Sequence, residues 1–377
     1  MAVKIQPLLQ AIVNTGASDL HVSTGMPPIA RLRGEMVPLQ SPPLDPEQTR
    51  QALYELLTDA QRAQFAERLD LDFAIEIPGL ARFRANYFEQ RRGVAAVFRV
   101  ISSKIPTLEQ LGTPRVLKDL ALRERGLVLV TGPTGSGKSS TLAAMIDHVN
   151  ETCQKHIITI EDPIEFVHQP KKCLINQREV GAHTESFSAA LRGALREDPD
   201  VMLVGELRDL ETTSLAITAA ETGHLVFGTL HTNSAAKTID RLIDVFPTGQ
   251  QAQVRTMLSE SLEGVVAQTL IPTADKKGRV AAFEILVGVN ALRNLIREDK
   301  TSQIQSVIQV GAAQGMMTLD QSLKELVISG KITRDEALAR STNPKLFEQG
   351  VAAAADASAL RPRHKSPVGA GSDPSAR

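Results

Sequence analysis

Tryptophan is absent from the 377-residue chain, and aromatic residues make up only 3% of it. So few ring faces leave little on which a single-stranded nucleic acid could stack its bases. An excess of one charge is missing as well. The 42 lysines and arginines stand against 43 acidic residues, a formal net charge of -1, so no overall field draws the chain to nucleic acid or anionic lipid. A nucleic-acid translocase is disfavoured on both counts. The two cysteines, Cys153 and Cys173, lack CxxC spacing, and the first residues do not read as a secretion leader. Both thiols are expected to be free and buried in a reducing cytosol. No run approaches the roughly 18 consecutive apolar residues of a membrane span, so any membrane link is expected to pass through a partner.

What the chain does have is 42% hydrophobic content and the length for two or three domains. Residues 1–101 carry short alternating segments such as AIEIPGLARFRANYF, interrupted by one expected helix near PEQTRQALYELLTDAQRAQF, and read as a small α+β domain. Residues 102–113 have the Ser, Pro and Gly content of a linker. From Gly126 the pattern changes to continuous apolar runs, LVLV, IITI, VMLV and LVFGTL, separated by helical segments. Unbroken apolar strands fit a parallel sheet covered on both faces, so 114–348 is expected to be an α/β domain. Beyond about residue 250 the reading is helical in most stretches, SESLEGVVAQTL, ALRNLIRE and MTLDQSLKELVISG among them. Residues 349–377, rich in Ala, Ser, Pro and Gly, read as a disordered tail.

The strongest chemical signal is GPTGSGKS, residues 132–139, between the LVLVT strand and an apolar-striped helix. This is the G-x-x-x-x-G-K-[ST] pattern in the strand–loop–helix context it requires. Gly132, Pro133, Thr134, Gly135, Ser136 and Gly137, with Ser140 just beyond, are expected to form the cofactor-binding loop, whose three glycines let backbone N–H groups fold around phosphate oxygens. Lys138 reaches the outer phosphates and Ser139 ligates magnesium. The bland alternative, a glycine turn of chance composition, does not explain the matching context.

Such a site also needs a carboxylate at a neighbouring strand end, and VMLVGE supplies Glu206 as the second magnesium contact. IITIEDPIEF brings Glu161, Asp162 and Glu165 to the carboxyl edge of the sheet, where open α/β folds bind ligands. Spacing alone does not choose among these three as the base that activates water. Pro163 constrains the segment beyond the strand, which favours Glu165. In AETGHLVFGTLHTNSAAKT, His224 and His231 flank an expected strand. Seven steps of roughly 3.3 Å set them about 23 Å apart, too far to share a metal. His231 falls at the phosphate edge and His224 at the opposite one.

Together GPTGSGKS, IEDPIEF, VGELRD and the two-histidine stretch closely resemble the PilT-type ATPases, the type IV pilus retraction motors of the type II/IV secretion ATPase superfamily. The resemblance runs from SDLHVSTGMPP at 18–28 to about Phe347. It implies a PAS-like N-terminal domain, a RecA-like ATPase domain with C-terminal helices, and ATP with Mg2+ between the two. It implies a cytoplasmic homohexamer at the inner-membrane base of the pilus machine, acting on a platform protein, with a retraction paralogue as a further partner. Lys138 and Ser139 then belong to the Walker A box, Glu165 to the Asp box as base, Glu206 to Walker B, and His224 and His231 to the His box. Arg82 and Arg84 alternate onto one strand face and Arg99 ends another strand. A solvated basic face is their ordinary reading, whereas the resemblance sends Arg84 and Arg99 to the nucleotide, including across a subunit boundary. ALRNLIRE resembles the AIRNLIRE motif of retraction ATPases, with Leu292 in place of isoleucine, and so assigns Arg293 and Arg297 to motor function. The four-cysteine zinc module common among secretion ATPases is beyond two separated cysteines. The competing readings are a monomeric GTPase or kinase, which lacks an NKxD motif here, and a nucleotide-gated accessory paralogue or other secretion-type P-loop ATPase of the same superfamily.

Overall fold

A computed structural model describes residues 4–32, 34–101 and 104–348. The expected tail, 349–377, lies outside the described residues.

Six strands build the first sheet: β1 (Asp19–Ser23), β2 (Ile29–Leu32), β3 (Glu35–Pro38), β4 (Asp70–Ile77), β5 (Ala81–Gln90) and β6 (Gly93–Ile101). All pair antiparallel, in the order β3-β2-β1-β6-β5-β4. Alternation in β5 buries Phe83, Ala85 and Tyr87 and turns Arg82, Arg84 and Asn86 to the other face, as a period of two requires. The core on the buried side is aromatic: Tyr87 meets Phe65, Phe73 and Phe98 at ring-centroid distances of 6.2, 5.3 and 5.7 Å. Its hydroxyl donates to the Leu53 carbonyl at 2.9 Å, which satisfies the buried ring's polar atom. The single helix expected over 46–65 is two, Pro46–Tyr54 and Asp59–Arg68. Thr58 opens the second with its own capping box to Gln61, so the chain restarts a helix where the sequence pattern reads as continuous.

Seven strands build the second sheet: β7 (Gly126–Thr131), β8 (His156–Glu161), β9 (Leu174–Glu179), β10 (Val201–Val204), β11 (Leu225–Leu230), β12 (Leu262–Pro272) and β13 (Arg279–Val287). Their order is β13-β12-β7-β11-β10-β8-β9, parallel throughout except for the β12–β13 hairpin. Every residue of β7, β10 and β11 is buried, which is why their apolar runs do not alternate.

One expectation is corrected here. SESLEGVVAQTL is not helical throughout, because the helix Thr248–Ser261 ends and β12 begins at Leu262. From Gly264 to Gln268 every residue of β12 is buried, so both faces of that stretch are covered, and an apolar run of that kind carries no period. Gly264, poor in a helix, fits because a Cβ there would stand 2.9 Å from the Leu120 side chain. The thiols also differ from expectation: Cys173 is buried and donates to the Cys153 carbonyl at 3.1 Å, while Cys153 is partly exposed. Among the described residues, no helix is long and apolar enough to cross a membrane.

Candidate active site

The carboxyl ends of β7, β8, β10 and β11 meet around a cavity of about 330 Å3. Lys138, Ser139, Glu165, Glu206 and His231 line it, and so does Arg84 from the first sheet. Residues up to 147 positions apart in sequence are thus brought to one edge of one sheet.

The phosphate loop leaves β7 through Gly132 and enters the helix Lys138–Thr152 through Gly137, both at positive φ, 143° and 89°. Gly132 has no room for a side chain, since a Cβ would stand 2.2 Å from the Gln268 carbonyl oxygen and 2.6 Å from Ser136 Oγ. Gln268, buried on β12, fastens the loop: its amide nitrogen donates to the Ser136 carbonyl and its oxygen accepts from Thr141 Oγ1, both at 2.7 Å. Ser136 Oγ is buried without a hydrogen-bond partner among the described residues. Lys138 Nζ donates to the Gly132 and Pro133 carbonyls at 2.9 and 3.3 Å, so the loop satisfies its own lysine. Burial pulls the Lys138 ammonium below its ordinary pKa, and the charges of Glu206 and Glu165 work against that pull. Gly137 and Ser140, with Leu111 and Leu270, line an adjoining cavity of about 600 Å3 behind the loop.

Glu206 is engaged twice through Oε1, by Arg208 Nε at 2.5 Å and by His231 Nε2 at 3.0 Å. Glu161 is half-buried, but its head group is enclosed. Thr159 Oγ1 donates to its Oε1 at 2.6 Å and Gln177 Nε2 at 3.1 Å, and the Glu165 backbone N–H adds a further bond. Burial pushes the Glu161 carboxyl above the usual range, opposed by these donors. Glu165 is exposed to the cavity, three residues beyond the Asp162–Pro163 peptide bond, which is cis.

The other candidates lie elsewhere. Arg84 is paired with Asp72, at 2.5 Å between NH2 and Oδ2, on the rim of the cavity. Arg99 binds Asp19 at 2.8 Å and lines a separate cleft with Asp72 and Arg84. Arg82 spans the two sheets, its NH2 group 2.8 Å from Glu179 Oε2 on β9. His224, at the far end of β11, is held through Nδ1 at 3.0 Å from the Ala219 carbonyl. Arg293 donates to the Ser259 carbonyl at 3.1 Å and pairs with Glu263 at 2.9 Å, and Arg297 binds Asn294 on the same helix. Sequence reading missed Gln268, Glu179, Arg208 and His168 as parts of this region. A lone glutamine in an apolar run was the available sign for the first; the others carried none.

His168 lines the cavity, and its Nδ1 has no partner among the described residues. Burial pulls its pKa from 6.5 down to about 4, so the folded chain keeps it neutral where the unfolded chain would protonate it. Its contribution to stability is therefore complete above pH 6.5 and is lost as pH falls toward about 4. Urea unfolding at pH 7 and pH 4.5 should differ by about 2–3 kcal/mol from this group. His168→Leu should flatten that slope, and an unchanged slope would assign the acid sensitivity to other groups.

Residues 1–361 match the family described as type II/IV secretion system protein. The chain is 58% identical to the type IV pilus retraction ATPase PilT of Pseudomonas aeruginosa over 343 residues, 91% of this chain and 99% of that one. It is 56% identical to a twitching motility protein of Neisseria gonorrhoeae over 316 residues, 84% of each. A crystal structure of the pilus retraction motor PilT with bound ADP superposes with a TM-score of 0.87 at 48% identity, covering 92% of this chain and all of that one. With a mostly parallel sheet, a phosphate loop at its carboxyl edge and this likeness along nearly the whole length, the chain belongs to the type II/IV secretion system protein family.

Proposed function

We propose that the chain is an ATP-hydrolysing motor for type IV pilus retraction, working as a homohexamer at the cytoplasmic base of the pilus machine. The observation that carries the ATPase half is the convergence of Lys138, Ser139, Glu165, Glu206 and His231 on one cavity. The retraction half rests on the likeness to PilT and the twitching motility protein.

The site fits a nucleoside triphosphate. Among the described residues Ser136 Oγ lacks a partner and Lys138 is bonded by its own loop, and the loop makes a cradle that a Cβ at Gly132 would fill. The helix beginning at Lys138 directs its free N–H groups toward incoming phosphate. The cavity behind the loop, with Leu111 and Leu270, suits a purine base. Ser139 and Glu206 offer the hard oxygen donors magnesium prefers and would hold the ion, whose charge neutralises phosphate oxygens. Glu165 accepts the proton of the attacking water, because it is exposed and lines the cavity. His231 contacts Glu206 and so reports on the outer phosphate at the end of β11. Arg84 is placed to neutralise charge as the phosphoryl group leaves, with Arg99 offered to a neighbouring protomer. Arg293 and Arg297 serve the motor stroke rather than ATP chemistry.

The deciding experiment complements a deletion strain with the parental gene or Lys138→Ala and scores twitching and pilus length. Deletion and Lys138→Ala should both leave cells with abundant pili and no twitching. Loss of pili on deletion would overturn the retraction assignment.

A further inference from the structure

Between β8 and β9 lies a buried arrangement that the catalytic reading does not use. Glu161 and Glu179 end these strands and face each other in register. Beyond Glu161 the chain turns through residues 162–166, and two successive amides of that turn are held by these two carboxylates. Ile164 N–H donates to Glu179 Oε2 at 3.0 Å, and Glu165 N–H bonds Glu161. Glu161 draws its remaining donors from within the second sheet, from Thr159 and Gln177. Glu179 does not. The same Oε2 that receives Ile164 N–H receives Arg82 NH2 from β5 of the first sheet, at 2.8 Å.

We propose that Glu179 is a positioning residue, a buried carboxylate that ties the turn carrying Glu165 to the first sheet through Arg82. The inference rests on the reading of Glu165 as the base.

The physical case is a matter of what happens if Arg82 withdraws. The side chain of Glu179 is 8% exposed and that of Arg82 18% exposed, so the carboxylate in particular is largely withdrawn from water. A buried carboxylate stripped of its cation must find another donor, and uncompensated burial of charge is strongly unfavourable. Ile164 N–H is the donor it already holds, so the readjustment falls on the turn that carries Glu165. Movement of the first sheet against the second is thereby converted into a displacement of the base. Misplacing a catalytic group by about 1 Å costs roughly 100-fold in rate. When the sheets are apposed as here, the turn is held at both amides. When they separate, one of the two holds changes. Arg82 then differs from its neighbour Arg84: Arg84 faces the cavity, whereas Arg82 acts through Glu179 and never needs to touch nucleotide.

Steady-state ATP turnover and the affinity for a fluorescent ADP analogue, measured on the full chain, test this. Glu179→Gln keeps an oxygen for Ile164 N–H and removes the charge that holds Arg82. Glu179→Gln and Arg82→Ala should each lower kcat about 10- to 100-fold with KM and ADP affinity within about twofold of the parent. The double variant should be no slower than the slower single, because both act along one path. Arg82→Lys should recover part of the loss. In a Glu165→Gln background neither change should cost anything further, which a general loss of structure would not reproduce. Losses that multiply, losses that persist in the Glu165→Gln background, or a fall in Tm with kcat untouched would each overturn the inference. If Glu179→Gln does not fold, Arg82→Ala alone and over Glu165→Gln decides by the same criteria. A Glu165→Gln protein with parental kcat would instead remove the base, and the positioning role with it. A slow Glu165→Gln beside a fast Glu179→Gln would sink only the positioning role.

Discussion

Glu165→Gln should lower kcat for ATP hydrolysis by about 100- to 10,000-fold while leaving the nucleotide Kd within about threefold of the parent. Three carboxylates follow one another near the end of β8, and their surroundings separate them. Glu161 already accepts from Thr159, Gln177 and the Glu165 amide, and burial disfavours its charge, so its oxygens are committed to holding structure. Asp162 is exposed and lines the same cavity but sits at the bend itself, beside the cis bond to Pro163. Glu165 lies beyond the bend and is exposed to the cavity, where Lys138 and Arg84 both feel its charge. Glutamine preserves shape and removes only the ability to take a proton. Single-turnover hydrolysis with saturating ATP is the cleanest readout, since it excludes product release. Parental single-turnover rates in Glu165→Gln, together with a large loss in Asp162→Asn, would move the base to Asp162.

Gly132→Ala should abolish useful nucleotide binding, raising Kd by at least about 100-fold, and lower stability by about 1–3 kcal/mol. The added methyl would need the space of the Gln268 carbonyl, 2.2 Å away, and that carbonyl belongs to a strand hydrogen-bonded on both sides. β12 does not yield, so the loop must. Gly135→Ala provides the control: φ is again positive, 78°, but a Cβ there meets nothing within 4 Å. It carries only the conformational penalty, about 1 kcal/mol, and should leave measurable binding. Calorimetric titration of both variants with ADP distinguishes crowding from conformation. Equal losses in the two would mean that backbone strain, and not the approach of β12, governs the loop.

The strand–loop–helix unit was legible because its pattern is local. The consecutive stretch LVLVTGPTGSGKS carries an apolar run, three glycines and a lysine followed by a serine, and nothing distant is needed to recognise it. That Glu165 and Glu206 would lie at the cavity was legible for a related reason, since each follows an apolar run whose end must lie at the ligand edge of a parallel sheet. β12 was not, because a strand buried on both faces shows no alternation, and Leu and Val at spacings of three and four fit a helix equally well. Gln268 and Glu179 illustrate what remains hidden. Gln268 matters because β12 runs beside β7 in one register and not another, and Glu179 because β9 ends level with β8. Register is a property of paired strands, and one strand's residues do not encode it. Arg99 shows the same limit: its residue type suggested only a solvated basic face, and nothing in its own strand announces that it sits opposite Asp19 across the sheet and is paired there.

Lys138 bonded to its own loop has a bearing on selectivity among anions. An ammonium already held by the Gly132 and Pro133 carbonyls is not a bare positive charge waiting for any counterion. On the proposed reading, entry of a ligand is an exchange in which incoming oxygens compete with these carbonyls. A single phosphate offers few contacts against them, whereas a chain of phosphates spans the lysine and the N–H groups of the helix together and gains more from the exchange. The loop's own carbonyls thereby set a threshold that a longer anion clears more easily than a short one.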